Sequence, residues 1–397
     1  MNVLPDSRCP VRIGIAGYGA AALAFVPAMQ AHSGFEIAAV AEPSESVRDE
    51  AAKTLGVATF ASVSAMLTGA ELDAIYIGTS TEMHSVHVLD ALSAGKHVLV
   101  EKPMASNLAD AKSMVDAAAT AGTIFMVGHS HSYDLPIKSM RALISGGTLG
   151  RVRMVNTWCY TDWIYRPRRP DELVTSLGGG VTYRQGSHQF DIIRLLCGGK
   201  VKSVKARAFD MDPARCAIGA HTVFMDFEDG AAATAIYNGY GGFSSMDLGF
   251  DVSEWGFAQP EAVRNFARRP LSGSHRASPV EEQAAKRQRG KTAIPSSAPL
   301  QPFFGMTLVS CEKGDIRQSP HGLFVYSAKG KQEIKLPTDR SPRDLVMAEF
   351  YDAIIGCAPA VHDGRWGLAN LAVCDAAIAS SVSGQEEAAL YQVAVQS

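Results

Sequence analysis

A short apolar strand, Val11-Arg12-Ile13-Gly14-Ile15-Ala16, runs directly into Gly17-Tyr18-Gly19-Ala20-Ala21-Ala22 and then into a helical apolar pattern at Leu23, Val26 and Met29. The spacing is G-x-G-x-x-A in a strand-turn-helix setting. Gly17 permits the tight turn, Gly19 lets the backbone approach a pyrophosphate, and small Ala22 allows the helix to pack closely on the strand. A pyrophosphate would sit at the positive N-terminus of that helix, against Tyr18, Ala20 and Ala21. The next strand, Glu36 to Ala41, ends on Glu42. A carboxylate at that distance accepts hydrogen bonds from both ribose hydroxyls and repels a 2′-phosphate, which favours NAD over NADP.

A second strand-helix unit, Leu72 to Thr79, places Thr79 and His84 at strand ends flanking the cofactor, with a helix predicted to begin near His84 and to close on Ala94-Gly95. The strand that follows delivers Glu101-Lys102-Pro103. Proline pushes the preceding residue out of the α region, so Lys102 is expected to be extended at the C-terminal strand end, where open α/β sheets bind ligands. A lysine beside a nicotinamide ring is a proton-transfer candidate, because burial and a nearby positive charge lower an amine's pKa. Alternation of strand and helix up to Gly128 predicts a doubly wound parallel sheet. The expected division is a dinucleotide-binding Rossmann domain over 1–128 and a substrate-binding and oligomerisation domain over 129–397.

After Gly128 the pattern changes. Longer alternating segments at Arg151 to Tyr160, Val201 to Phe209, His221 to Phe227 and Ala231 to Tyr237, the last two joined by Glu228-Asp229-Gly230, predict a mainly antiparallel sheet. Helical patterns at Leu135 to Gly146, Pro342 to Ile355 and Gly367 to Ser381 make this half α+β. The stretch from Pro260 to Pro299 has few large apolar residues and reads as a long surface loop or oligomer arm.

At 397 residues, 47% hydrophobic and 19% charged, the chain has room for two domains, and a net charge of −3 gives no general reason to expect nucleic acid or an anionic membrane as partner. Cys9, Cys159, Cys197, Cys216, Cys311, Cys357 and Cys374 show no metal-ligand spacing and read as reduced and mostly buried, so no metal is expected. The first residues lack the basic-then-apolar pattern of a signal peptide, and no apolar run reaches about 18 residues, so a cytoplasmic protein is expected.

Gly17-Tyr18-Gly19, Gly78-Thr79 with His84, Ala94-Gly95-Lys96-His97, Glu101-Lys102-Pro103, and Gly178 to Val181 followed by Gly186-Ser187-His188-Gln189-Phe190-Asp191 together resemble the Gfo/Idh/MocA oxidoreductases over nearly the whole chain. The resemblance implies an open-faced sheet in the second domain, substrate between that sheet and the nicotinamide, and homo-oligomers, dimer or tetramer, formed through the sheet. It also implies catalytic roles for Lys102 and His188, with Asp191 a structural or orienting carboxylate. Four residues before the histidine the family commonly carries an aspartate, and here Arg184 stands instead. That inverted charge, with Arg166, Arg168 and Arg169 in a proline-stiffened segment suited to carboxylates, predicts an anionic small-molecule substrate. His129 and His131, in the loop where relatives carry asparagine and arginine, are further substrate-binding candidates. Within the family, the Tyr165 to Pro170, Gly180 to Asp191 and Pro302 to Asp315 segments resemble members that oxidise phthalate cis-4,5-dihydrodiol to 4,5-dihydroxyphthalate. The competing expectations are a sugar, cyclitol or sugar-acid dehydrogenase and a non-catalytic NAD-binding regulator.

Overall fold

The computed structural model describes residues 10–261, 278–292 and 298–396. Six parallel strands form the first sheet: β1 (Val11–Ala16), β2 (Phe35–Ala41), β3 (Ala58–Phe60), β4 (Ala74–Ile77), β5 (His97–Val100) and β6 (Phe125–Val127), in the order β3-β2-β1-β4-β5-β6. The switch in strand order falls between β1 and β4, so the loops leaving their C-terminal ends diverge and open a crevice there. Helices α1 (Ala20–Ala31), α2 (Glu45–Leu55), α3 (Val63–Gly69), α4 (Thr81–Ser93) and α5 (Leu108–Ala121) connect the strands. Helix α4 starts at Thr81, one turn before the start expected near His84. The residues Ser80 and Thr81 can open the turn, so His84 lies inside the helix and is buried.

Residue type explains the crevice. Gly17 has φ of +83°, and a Cβ there would lie 3.0 Å from the Gly78 carbonyl oxygen, so only glycine lets the β1 and β4 loops approach this closely. At Gly19 a Cβ would meet nothing within 4 Å, which places that backbone at the open cleft.

The second sheet has nine strands. After α6 (Leu135–Ser145) come β7 (Val152–Tyr160), α7 (Gly180–Arg184), α8 (Gly186–Leu196), β8 (Val201–Phe209), β9 (Ala220–Phe227) and β10 (Ala232–Asn238). Then follow α9 (Pro279–Thr292), β11 (Met306–Cys311), β12 (Gly314–Ser319), β13 (Gly322–Ser327), β14 (Gly330–Lys335), α10 (Pro342–Ile354), α11 (Gly364–Ser383) and β15 (Glu387–Ala388). The order is β14-β13-β12-β11-β7-β10-β9-β8-β15, antiparallel except where β10 runs parallel to β7. Inward residues such as Val155, Val223 and Ala235 are buried under α8 and α11, whereas Met154 and Phe224 on the other face stay more than 40% exposed. One sheet face is therefore covered and the other open.

Helix α10 crosses back to the first sheet, where Phe350 stacks on Phe35 at 6.0 Å and the Tyr351 ring leaves no room for a Cβ at Gly34. The segment expected as a surface loop departs most from the sequence reading, because its described part, 278–292, contains helix α9 seated on the cofactor half. Two acidic residues in its first turn and Arg289 with Lys291 in its last suit the helix dipole. Gly290 lies so close to Ala20 that a Cβ would come within 2.7 Å. Polar pairing replaces the missing apolar stripe: Arg287 and Lys291 bind Glu50 at 2.8 and 2.7 Å on one side, and Lys286 binds Glu172 at 2.7 Å on the other. The remainder of the segment, 262–277 and 293–297, lies outside the described residues, as does Cys9. Of the other cysteines, Cys159, Cys197 and Cys374 are buried while Cys216 and Cys357 are exposed, so burial is less general than expected, and all are free thiols.

Candidate active site

The N-terminus of α1 has no side-chain cap and no acidic residue in its first turn, so its first N–H groups are available to an anion. Glu42, just past β2, accepts a 2.9 Å bond from the Tyr18 N–H and a 3.1 Å bond from the Ser44 N–H, which fixes its carboxylate at the edge of the glycine loop. Gly19, Ala20, Ala21, Thr79, Glu101 and Lys102 line one continuous cleft. A positive-φ glycine turn, an uncapped helix end and a fixed acid beside them fit a dinucleotide. Thr79 bonds His87 at 3.1 Å, and His84 spans the Pro103 and Thr79 carbonyls at 3.0 and 3.2 Å, tying the β4 and β5 loops together. Burial lowers the His84 pKa to about 4, so this ring is neutral, donating to one of the two carbonyls and packing against the other.

Lys102 stands at the end of β5, where its ammonium donates to the Arg184 backbone carbonyl at 2.9 Å. Its pKa is lowered to about 8, chiefly by burial; Glu101 opposes the shift, and Arg184 and Lys286 add to it. Arg184 thus contributes in the expected direction, but desolvation dominates. Glu101 itself is held by the Tyr76 hydroxyl at 3.0 Å, and burial raises its pKa.

His188 enters from the first turn of α8 and is buried. Its Nδ1 has no hydrogen-bond partner among the described residues, and burial, with positive Lys102 and His131 nearby, drives its pKa well below the ordinary value. The neutral imidazole lines the chamber that Lys102 also lines. Beside it, His131 packs edge-on at 4.7 Å and lies over Phe304 at 4.3 Å. Asp134 at 3.1 Å and Glu254 at 3.3 Å grip its two ring nitrogens. Burial opposes protonation of His131, but those two carboxylates outweigh it and raise the pKa, while Glu254 is held down at about 2 against its own burial by His131 and Arg166.

The arginines separate. Arg166 reaches the chamber of Lys102 and His188 and also lines an adjoining cavity of about 270 Å³ walled by Glu254, Trp255 and Phe304. It is balanced by Asp162 at 2.8 Å and Glu254 at 3.8 Å. Arg168 stacks on Trp163 at 4.1 Å and pairs with Glu172 at 3.8 Å, lining both the cofactor cleft and the chamber. Arg169 and Arg184 both turn to Asp171, at 2.8 and 3.4 Å. Arg184 therefore lines the cofactor cleft and is absent from the chamber with His188, because an acid thirteen residues upstream captures its guanidinium. His129 is likewise absent from the chamber. Both its ring nitrogens are buried without partners among the described residues, and burial lowers its pKa to about 4.

Behind the chamber lies a network that no motif announces. Asp191 accepts the Trp366 indole N–H at 2.6 Å and faces His362 at 3.5 Å, and His362 in turn meets Ser132 at 2.9 Å and Glu349 at 3.5 Å. Asp191 thus anchors the helix that carries His188. Glu254, Trp255 and His362 were missed because they sit in irregular segments far along the chain from Lys102. Among the described residues no group of three His, Cys, Asp or Glu is arranged to hold a metal ion, and no helix is long and apolar enough to cross a membrane.

Residues 11–129 match a family model described as an oxidoreductase family with an NAD-binding Rossmann fold, and residues 137–243 match the GFO/IDH/MocA C-terminal domain. The chain is similar to 1-carboxy-3-chloro-3,4-dihydroxycyclohexa-1,5-diene dehydrogenase of Comamonas testosteroni, 37% identical over 92% of this chain and 93% of that one. It is also similar to a solved dehydrogenase structure from Bordetella bronchiseptica RB50, with 37% identity, a TM-score of 0.86 and coverage of 96% of this chain and 100% of that one. The WlbA dehydrogenase of Bordetella pertussis, solved with NADH and UDP-GlcNAcA, shares the fold at 19% identity, a TM-score of 0.70 and coverage of 96% and 98%. The chain belongs to the Gfo/Idh/MocA family of oxidoreductases, and its residues 11–129 form an NAD-binding Rossmann unit.

Proposed function

We propose that this enzyme oxidises a carboxylated cis-dihydrodiol to the aromatic diol with NAD, phthalate cis-4,5-dihydrodiol being the substrate that the sequence favours. The observation that carries the reading is Arg166, a guanidinium on the wall of the chamber that also holds Lys102 and His188. A carboxylate has a charged partner there, which a neutral sugar or cyclitol would leave unused. The Comamonas testosteroni relative, whose name describes a carboxylated dihydroxycyclohexadiene, supports the same class.

Bound at the α1 N-terminus, NAD supplies the hydride acceptor. Gly17 and Gly19 admit its pyrophosphate, and Glu42 holds the ribose. In the chamber Lys102, once neutral, takes the proton of the reacting hydroxyl as the hydride leaves the same carbon, so the O–H bond gives one proton to Lys102, the C–H bond gives one hydride to the bound NAD, and a C=O bond forms. Neutral His188, on the same wall, meets the hydroxyl pair. His131, fixed by Asp134 and Glu254, presents a rigid wall with Phe304 against the ring. The resulting enone tautomerises to the aromatic diol, which drives the oxidation forward.

NADH formation, followed by absorbance, tests the reading with carboxylated cis-dihydrodiols against a panel of sugars, sugar acids and inositols. Turnover of the diols at least tenfold more efficient than of any panel member is expected; preference for a sugar or inositol overturns the substrate class, and no turnover of any compound favours the regulator. The open sheet face with Met154 and Phe224 suits self-association into a dimer or tetramer, which sedimentation of Phe224→Glu against wild type would check. Free thiols at all the described cysteines are in keeping with work in the cytoplasm.

A further inference from the structure

Helix α9 brings a further arginine to the chamber beside Arg166 and Arg168, one outside every sequence motif. Arg289 lines both the chamber of Lys102 and His188 and the adjoining 270 Å³ cavity, and the two share only a short wall that includes Arg166, Glu254 and Trp255. The charges on that wall are unequally matched. Arg166 is engaged by Asp162 and Glu254, and Glu254 is engaged again by His131. Asp162 and Glu254 act on Arg289 only through space, with no ion pair or hydrogen bond to it among the described residues. The next charges along α9 are committed elsewhere, Lys286 to Glu172, Arg287 to Glu50 and Lys291 to Glu50. Arg289 is thus a cation held at a cavity mouth by a latched helix and left with unused donors.

We propose that Arg289 is the residue that selects a carboxylated substrate, binding the carboxylate from the helix side while Arg166 faces it from the sheet side. The proposal rests on the reading that the substrate carries a carboxylate. Two guanidiniums on one wall suit the two oxygens of a single carboxylate. Arg287 on the same helix donates to the Tyr18 carbonyl at 3.2 Å and Gly290 abuts Ala20, so the selecting residue is fixed in register with the cofactor loop.

Arg289→Gln and Arg289→Lys test it, each assayed with a carboxylated cis-dihydrodiol and with the same diol lacking the carboxylate. Calorimetry of 3,4-dihydroxybenzoate and of catechol on the NADH-loaded protein gives a readout independent of turnover. The expected result is a fall of roughly 10- to 100-fold in the ratio of kcat/KM for the carboxylated over the uncarboxylated diol in Arg289→Gln, a parallel weakening of 3,4-dihydroxybenzoate but not of catechol, and partial recovery in Arg289→Lys. A ratio within about twofold of wild type, or equal losses on both diols and both ligands, overturns the role of Arg289 while the carboxylated-substrate reading stands. A wild-type enzyme that shows no preference for the carboxylated diol overturns that reading, and this assignment with it.

Discussion

The Lys102 ammonium meets the backbone carbonyl of Arg184, not its side chain, at 2.9 Å, while the Arg184 guanidinium turns to Asp171. The lysine therefore has one neutral acceptor, and burial is what brings its pKa down to about 8. That single contact also fixes the C-terminal end of β5 against α7, across the two halves of the chain.

If Lys102 accepts the hydroxyl proton, its neutral form is the active one, so kcat/KM should climb as pH rises and level off above an apparent pKa near 8. Arg184 is one of the positive charges that lower this pKa, so Arg184→Gln should move the inflection upward. Lys102→Met should cut kcat roughly 10²- to 10⁴-fold with NADH affinity retained. A pH–rate profile of the three proteins checks both statements, and near-normal turnover by Lys102→Met would remove the lysine from the mechanism.

The arginines should differ in kind. Arg166→Gln should raise KM for the carboxylated diol about 10- to 100-fold, as expected for loss of a charge-assisted contact. Arg169→Gln, whose side chain lines the cofactor cleft and not the chamber, should change it by less than about threefold. Steady-state KM values with one substrate decide between them.

Glu42 accepts N–H bonds from Tyr18 and Ser44 at 2.9 and 3.1 Å, which fixes its carboxylate beside the glycine loop, where we place the ribose. Glu42→Gln keeps the shape and removes the charge. KM for NAD should rise about 5- to 30-fold and the preference over NADP should narrow, because the charge that repels a 2′-phosphate is gone. Comparing kcat/KM for the two cofactors measures it.

Buried His362 has its pKa raised to about 9, since Asp191 and Glu349 outweigh its desolvation. A group raised in the folded state stabilises fully below its unfolded pKa, about 6.5, and its contribution is lost as pH climbs through 9. The size is about 3 kcal/mol. Urea midpoints should fall from about pH 6.5 to about pH 9.5 in wild type and more gently in His362→Gln. Equal slopes for the two proteins would remove His362 as the source.

The dinucleotide half was legible because its information is local. Gly17, Gly19 and Glu42 mark a turn, a helix start and a strand end, and each does its work within a few residues of its neighbours. Lys102 was legible for the same reason. The chamber was not, because its walls draw on Glu254, Trp255 and Arg289, which meet only through tertiary packing and belong to no periodic pattern. Arg184 misled through composition: a cation at the place of a common acid suggested a substrate clamp, yet Asp171 is close enough to take its charge. Helix α9 was hidden because ion pairs and one glycine contact seat it, and an apolar stripe was the only signal that would have shown it.

The central claim is that the diol of a carboxylated ring lies against Lys102 with its carboxylate on the Arg166 wall. A crystal structure with NAD and 4,5-dihydroxyphthalate bound tests this most directly. The account predicts a ring hydroxyl oxygen within hydrogen-bond distance of Lys102 Nζ and a carboxylate paired with Arg166. A ligand with its carboxylates on Arg184 or in solvent, or with Lys102 still bonded only to the Arg184 carbonyl, would contradict it.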